Sequence, residues 1–182
     1  MNLRRLLEAA SFAAARHATQ TRKDKSGSPY INHPLKVAAM LAGPGGIADL
    51  DLLIAALLHD VVEDTETCAE EIRDRYGERV AGIVSEVTDD KTLPRARRKA
   101  IQVETAREKS PAAKELKIAD KICNVNDIDE DAPAGWPLTR KLEYLDWSRQ
   151  VVDGCRGVNE GLEREFDEAV EKAAMRLGDA SV

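Results

Sequence analysis

The octet Leu57-Leu58-His59-Asp60-Val61-Val62-Glu63-Asp64 puts four chemically capable side chains at the end of a run that is otherwise aliphatic. From Asp49 to Val62 the apolar residues cover most of a helical circumference, and Leu and Ala are strong helix formers. The segment therefore reads as a helix buried on most sides. An imidazole beside a carboxylate in such a place needs compensation, because a buried charge is costly unless it is paired. A divalent cation supplies it: both groups become ligands, and binding favours their deprotonated forms. If the helix continues, Glu63 lies one turn beyond His59 and Asp64 one turn beyond Asp60, on the same faces. Two metal ligands would then have two acids beside them. A plain hydrogen-bonded His-Asp pair tying two helices together accounts for the octet equally well.

The elements that must position these groups are helical. The chain has 182 residues, enough for one domain with a sizeable core. Charged residues make up 33% and aromatics only 4%, and Ala, Leu, Glu, Lys and Arg dominate, which predicts an all-α fold. A net charge of −6 argues against a general nucleic-acid binder. Cys68, Cys123 and Cys155 form no CxxC and read as reduced thiols of a cytoplasmic protein. No apolar run approaches the ~18 residues of a membrane helix, and Glu8 interrupts the first apolar stretch, against a signal peptide. Neither nucleic-acid nor membrane partners are expected.

Taken in order, Asn2 to Gln20 has helical apolar spacing and contains His17, a type of lone helical histidine that is more often structural than a ligand. Thr21 to Tyr30 is a Gly-, Ser- and Pro-containing loop with Arg22, Lys23 and Lys25 as a positive edge, either a solvated turn or a phosphate clamp. Pro34 suits a first helical turn, with Asn32 or His33 near the cap, and Gly43 to Gly46 ends that helix. Thr65 to Tyr76 reads as a short helix capped by Thr65 or Thr67, with Glu70 completing a capping box. Glu78 to Thr88 is another helix. The basic run Arg95 to Lys99 opens the next, a small conflict with the helix dipole that hints at an anionic partner. Ser110-Pro111 starts a helix through about Ile128, in which Asp120 is either a further metal ligand or a partner of Lys117 or Lys121. Thr139 to Arg156 and Val158 to Leu177 are the last two helices, and Arg140 and Tyr144 share a face of the first.

His33, His59-Asp60 and Asp120 form the H…HD…D pattern of HD-domain phosphohydrolases. Arg22-Lys23, the stretch Pro29 to Pro34, Ala55 to Asp60, Val62 to Thr65, Val87-Thr88, and Lys117 to Lys121 with Asn124 extend the likeness. Across roughly Leu7 to Gly157 the chain resembles the hydrolase domain of RelA/SpoT proteins. It is most similar to the small alarmone hydrolases of the metazoan SpoT homologue type, which share the motif at Thr88 to Pro94 and a Gly-Trp like Gly135-Trp136.

The resemblance implies a single all-α HD domain over residues 1–182, with about eight or nine helices around a metal cleft. It implies that His33, His59, Asp60 and Asp120 bind one divalent ion, usually Mn²⁺; a donor set without thiolate admits Zn²⁺ as well. It makes Glu63 and Asp64 the catalytic acids. The implied reaction removes pyrophosphate from the ribose 3′ position of (p)ppGpp, leaving GDP or GTP. Arg22, Lys23, Asn124 and Tyr144 match nucleotide-contacting positions, and Lys91, Arg95 and Arg140 join them as expected phosphate contacts. Asp24 stands where long RelA/SpoT enzymes carry Ser, as in the small hydrolases; Cys123 replaces a larger residue and Asn126 a common Arg. These departures leave the metal set intact. With no room for a synthetase domain, hydrolysis without synthesis is expected. Two other readings compete: a broader nucleotide phosphatase, NADPH 2′-phosphate being one substrate, and a non-catalytic nucleotide-binding module.

Overall fold

Helix α3 (Leu50–Leu58) is the spine of the core, with every residue from Leu52 to Leu58 buried. Its start is fixed by Asp49, whose carboxylate accepts the amides of Asp51 at 3.1 Å and Leu52 at 3.4 Å. Around it stand α1 (Leu3–Arg16), α2 (Asn32–Ala42), α6 (Glu78–Val87) and α8 (Pro111–Asp131). The computed structural model describes residues 2–24, 26–133 and 135–179; Lys25, part of the expected positive edge, lies outside them.

The expectation of one helix through Val62 is corrected. Helix α3 stops at Leu58, His59 and Asp60 form a turn, and α4 (Val61–Asp64) adds a single further turn. Two local features account for the break. His59 Nδ1–H donates to the Ala56 carbonyl at 2.7 Å, so a side chain competes with the backbone for the last helical turn. Asp60 sits at φ −95°, ψ −8°, in the bridge region between helix and strand.

The capping expectation for the next helix is also corrected. Helix α5 (Ala69–Tyr76) has Cys68 at its N-cap, with no side-chain cap bond. Thr65 turns back instead: its Oγ1 donates to the Val61 carbonyl at 2.6 Å and accepts from the Thr67 amide at 3.2 Å, closing α4. At α2 the N-cap is Ile31, so His33 lies inside the first turn.

The remaining order is α7 (Arg95–Thr105), a 3₁₀ turn at Ala106–Glu108, α8, α9 (Leu138–Cys155) and α10 (Glu160–Asp179). Ser110 caps α8 as its sequence requires, accepting the Ala113 amide at 3.3 Å, with Pro111 in the first turn. Helix α8 is the second buried element, flanked by α2, α6, α9 and α10. Asn159, at the start of α10, donates to Gly45 O at 3.0 Å and Glu115 Oε1 at 3.1 Å, tying the C-terminal helix to the α2–α3 loop and to α8. Among the described residues there are ten α-helical segments, nine if α3 and α4 count as one broken helix, and no strand beyond a Thr21–Pro29 bridge. None of these helices is long and apolar enough to cross a membrane. All three cysteines are free.

Candidate active site

The break after α3 brings His59 and Asp60 to face His33 from α2 and Asp120 from the middle of α8. His33 Nε2 lies 3.1 Å from Asp120 Oδ1 and 3.9 Å from Asp60 Oδ2. His59 Nε2 lies 3.2 Å from Asp60 Oδ2 and 3.9 Å from Asp120 Oδ1. One ligand atom from each of His33, His59 and Asp60 falls within 4.8 Å of the others. The histidines are 2% and 6% exposed and Asp120 is 8% exposed, so solvent does little to balance these charges.

This donor set fits a divalent cation. His59 is held as a metal-ligating imidazole usually is: Nδ1–H is given to the Ala56 carbonyl, and the buried Nε2 faces the carboxylates with no hydrogen-bond partner. Asp120 is held through both oxygens. Oδ1 accepts from Asn124 Nδ2 at 2.6 Å, and Oδ2 from Lys121 Nζ at 3.1 Å, so the lysine pairing leaves Oδ1 facing the two imidazoles. Cys123 lies one turn before the cleft-lining Asp127; burial and then Asp120 push its thiol up to about 12, which keeps it a poor ligand beside these N and O donors.

Without a cation, protons balance the cluster. Burial disfavours the His59 imidazolium, but Asp60 and Asp120 outweigh it and push the imidazole up to about 9. Burial opposes ionisation of Asp60 too, yet the two imidazoles hold it below the usual carboxylate range. Asp120 is likewise held low against burial, by Lys121 first and then by the histidines.

The single turn of α4 sets both acids beside the cluster. Glu63 Oε2 accepts the Asp89 amide at 3.1 Å and Oε1 faces Arg98 Nη1 at 3.5 Å. Burial pushes the Glu63 carboxyl up, the Asp89 amide opposing and nearby carboxylates adding. Asp64 is held by Lys91 and lies 3.2 Å from the Tyr30 hydroxyl. That phenol is raised by burial and by Asp60, so it remains a donor.

The acids open onto a cleft of ≈ 590 Å³ and an adjoining hollow of ≈ 390 Å³. Lys23, Asp64, Lys91, Arg95 and Tyr144 line both. The structure thus brings four of the expected substrate contacts to the acids. Arg22 and Asn124 also line the larger cleft, but with part of their capacity committed. Arg22 pairs with Asp127 at 2.7 Å and donates to Asn124 at 3.1 Å, while Asn124 supports Asp120. Arg140 stands apart, in a side hollow of ≈ 100 Å³, with its guanidinium 4.2 Å from the Trp136 ring centroid. Residues that sequence reasoning left without a role are Tyr30, Arg98, Lys99, Asp127 and Trp147. Tyr30 lay inside the Pro29 to Pro34 stretch and Arg98 and Lys99 inside the basic run from Arg95, signals that could have flagged them; Asp127 and Trp147 lay in no such pattern.

An all-helical fold with this cluster defines a class, and a family model described as HD domain matches residues 9–142. The chain belongs to the HD-domain family. It is 52% identical over 158 residues to the human guanosine-3′,5′-bis(diphosphate) 3′-pyrophosphohydrolase MESH1, covering 87% of this chain and 88% of the relative. The mouse MESH1 is 49% identical over 172 residues, 94% of this chain and 96% of the relative. A solved structure, reported as a metazoan orthologue of SpoT that hydrolyses ppGpp and plays a role in starvation responses, superposes with a TM-score of 0.90. It is 42% identical, across 92% of this chain and 94% of that one. Within the HD-domain family, the chain groups with these RelA/SpoT-related MESH1 proteins.

Proposed function

We propose that the chain is a Mn²⁺-dependent guanosine-3′,5′-bis(diphosphate) 3′-pyrophosphohydrolase, converting (p)ppGpp and water to GDP or GTP and pyrophosphate. The observation that carries this reading is the joining of 52% identity to human MESH1 over 87% of the chain with the assembled His33, His59, Asp60 and Asp120 cluster beside two acids. These four side chains would hold the ion. The ion supplies Lewis-acid stabilisation of phosphoryl charge and acidifies water.

The chain's own residues do the rest. Glu63, its basicity raised by burial, takes a proton from the attacking water, while the Asp89 amide fixes its orientation. Attack falls on the phosphorus bonded to the 3′ oxygen; that P–O bond breaks, and the leaving oxygen ends protonated. Asp64, tethered by Lys91 and Tyr30, is the second acid at this point. Lys23, Lys91 and Arg95 bind the phosphates, because a multiply charged anion entering a protein of net charge −6 needs local cations. Trp136 and Tyr144 present aromatic rings to the nucleotide, and Arg22, Asn124 and Arg140 complete its surroundings.

The substrate is a small nucleotide, with nucleic acid and membrane outside the reading. The unit is one domain over residues 1–182. Three unbridged cysteines support a reducing, cytoplasmic setting. The test is hydrolysis of ppGpp by metal-stripped protein with and without Mn²⁺: pyrophosphate release only in the loaded sample supports the reading, and equal release without metal overturns its metal dependence.

A further inference from the structure

We propose that Tyr30 is a positioning residue whose hydroxyl ties the ligand oxygen of Asp60 to the acid Asp64. This sets the separation between the cation site and Asp64. The inference rests on the metal and acid assignments proposed above.

The geometry is specific to one oxygen. Tyr30 Oη donates to Asp60 Oδ2 at 2.6 Å, and the same Oδ2 lies 3.2 Å from His59 Nε2 and 3.9 Å from His33 Nε2. The hydroxyl therefore bears on the oxygen that faces both imidazoles. On its other side, Oη lies 3.2 Å from Asp64 Oδ2. A phenol has one proton to give. The two carboxylates therefore share it, with the stronger arm at the shorter distance to Asp60 and the weaker, more adjustable arm at Asp64.

Such a tie has work to do at this place. Helix α4 is a single turn following a break; the Asp64 amide donates to the Asp60 carbonyl at 2.8 Å, which joins the two backbones, and the Tyr30 hydroxyl adds a link between their side chains. The tie is itself well anchored. The Tyr30 ring stacks on buried His17, centroids 4.7 Å apart and planes at 32°, and the Tyr30 amide donates to Gln20 O at 3.0 Å. Gln20 closes the arrangement: its Oε1 meets His17 Nδ1 at 2.7 Å and its Nε2 donates to the Asp64 carbonyl at 2.7 Å. The segment from His17 to Tyr30 thus grips α4 by its last backbone carbonyl and by an acid side chain. Half-buried Tyr30 keeps all its ring contacts if only the oxygen is removed.

The experiment is Tyr30→Phe, read three ways beside the wild type: thermal unfolding, Mn²⁺ affinity of the stripped protein by calorimetry, and steady-state kinetics on ppGpp. The expected result is wild-type unfolding, Mn²⁺ affinity weakened about 10-fold, and kcat lowered about 10- to 100-fold with KM nearly unchanged, the range for outer-shell partners of a metal site. A folded variant with wild-type Mn²⁺ affinity and kcat overturns the proposal. So does a variant that fails to fold, since the hydroxyl would then be a stabilising rather than a positioning group. The Mn²⁺ reading separates this inference from the one beneath it. If the wild type binds Mn²⁺ but spares ppGpp, the substrate assignment fails and the tie at Asp60 is still measured. If the wild type binds no Mn²⁺, both fall.

Discussion

His33 and Asp120 meet at 3.1 Å although 87 residues separate them, one from the first turn of α2 and the other from the middle of α8. Packing of α2 against α8 closes the cluster, and loss of either side chain opens it. His33→Ala and Asp120→Ala should each weaken Mn²⁺ binding by more than the ~10- to 100-fold typical of an outer-shell change. Equilibrium dialysis of the stripped variants checks this. Unchanged affinity in either would take that residue out of the metal set.

Glu63 and Asp64 sit beside the cluster rather than in it. Glu63→Gln and Asp64→Asn should therefore keep Mn²⁺ affinity while turnover falls at least ~10²-fold, the usual range for removal of an acid–base group. Parallel calorimetry and kinetics separate the two effects. A variant with full turnover has no place in the proton path.

The cluster also predicts a pH dependence. In the metal-free protein His59 is pushed up to about 9, so at neutral pH a proton must leave before the imidazole can ligate. Mn²⁺ affinity should climb as pH rises towards 9, by up to about tenfold per unit for one displaced proton, and level off above it. Folding of the metal-free protein responds with the opposite sign. The native value lies above the ordinary 6.5, so the stability this imidazole contributes is full below pH 6.5 and lost as pH rises through about 9. Competition titrations and thermal melts between pH 6 and pH 9 read both trends.

Arg95 is an exposed cation lining both hollows, at the first position of α7. If it holds a phosphate, Arg95→Ala should raise the KM for ppGpp about 10- to 100-fold with kcat little changed, since hydrogen bonds to charged groups contribute about 1.5–3 kcal/mol. A fall in kcat at constant KM would place its effect in the transition state.

Much of this was legible in the sequence because two signals agreed. The aliphatic run at α3 and the N-cap at Ser110-Pro111 fixed the two buried helices, and the H…HD…D spacing marked which polar residues they carry. The break at His59-Asp60 was hidden, since Leu, Ala and Val show no breaker there and the cause is a side-chain bond to Ala56. Thr65 read as a cap for α5 because its residue type fits either end of a turn; only its bond to Val61 decides the matter. Arg98 read only as part of a basic run hinting at an anionic partner, whereas it turns in towards Glu63, a contact across 35 residues that no local pattern carries. Tyr30 looked like motif filler for the same reason.

The most direct test of the central claim is to strip the protein of metal, restore Mn²⁺, and offer ppGpp and NADPH in parallel, separating products by ion exchange. The account predicts GDP and intact pyrophosphate from ppGpp. Orthophosphate from NADPH with ppGpp untouched, or no product from either substrate while Mn²⁺ is bound, would contradict it.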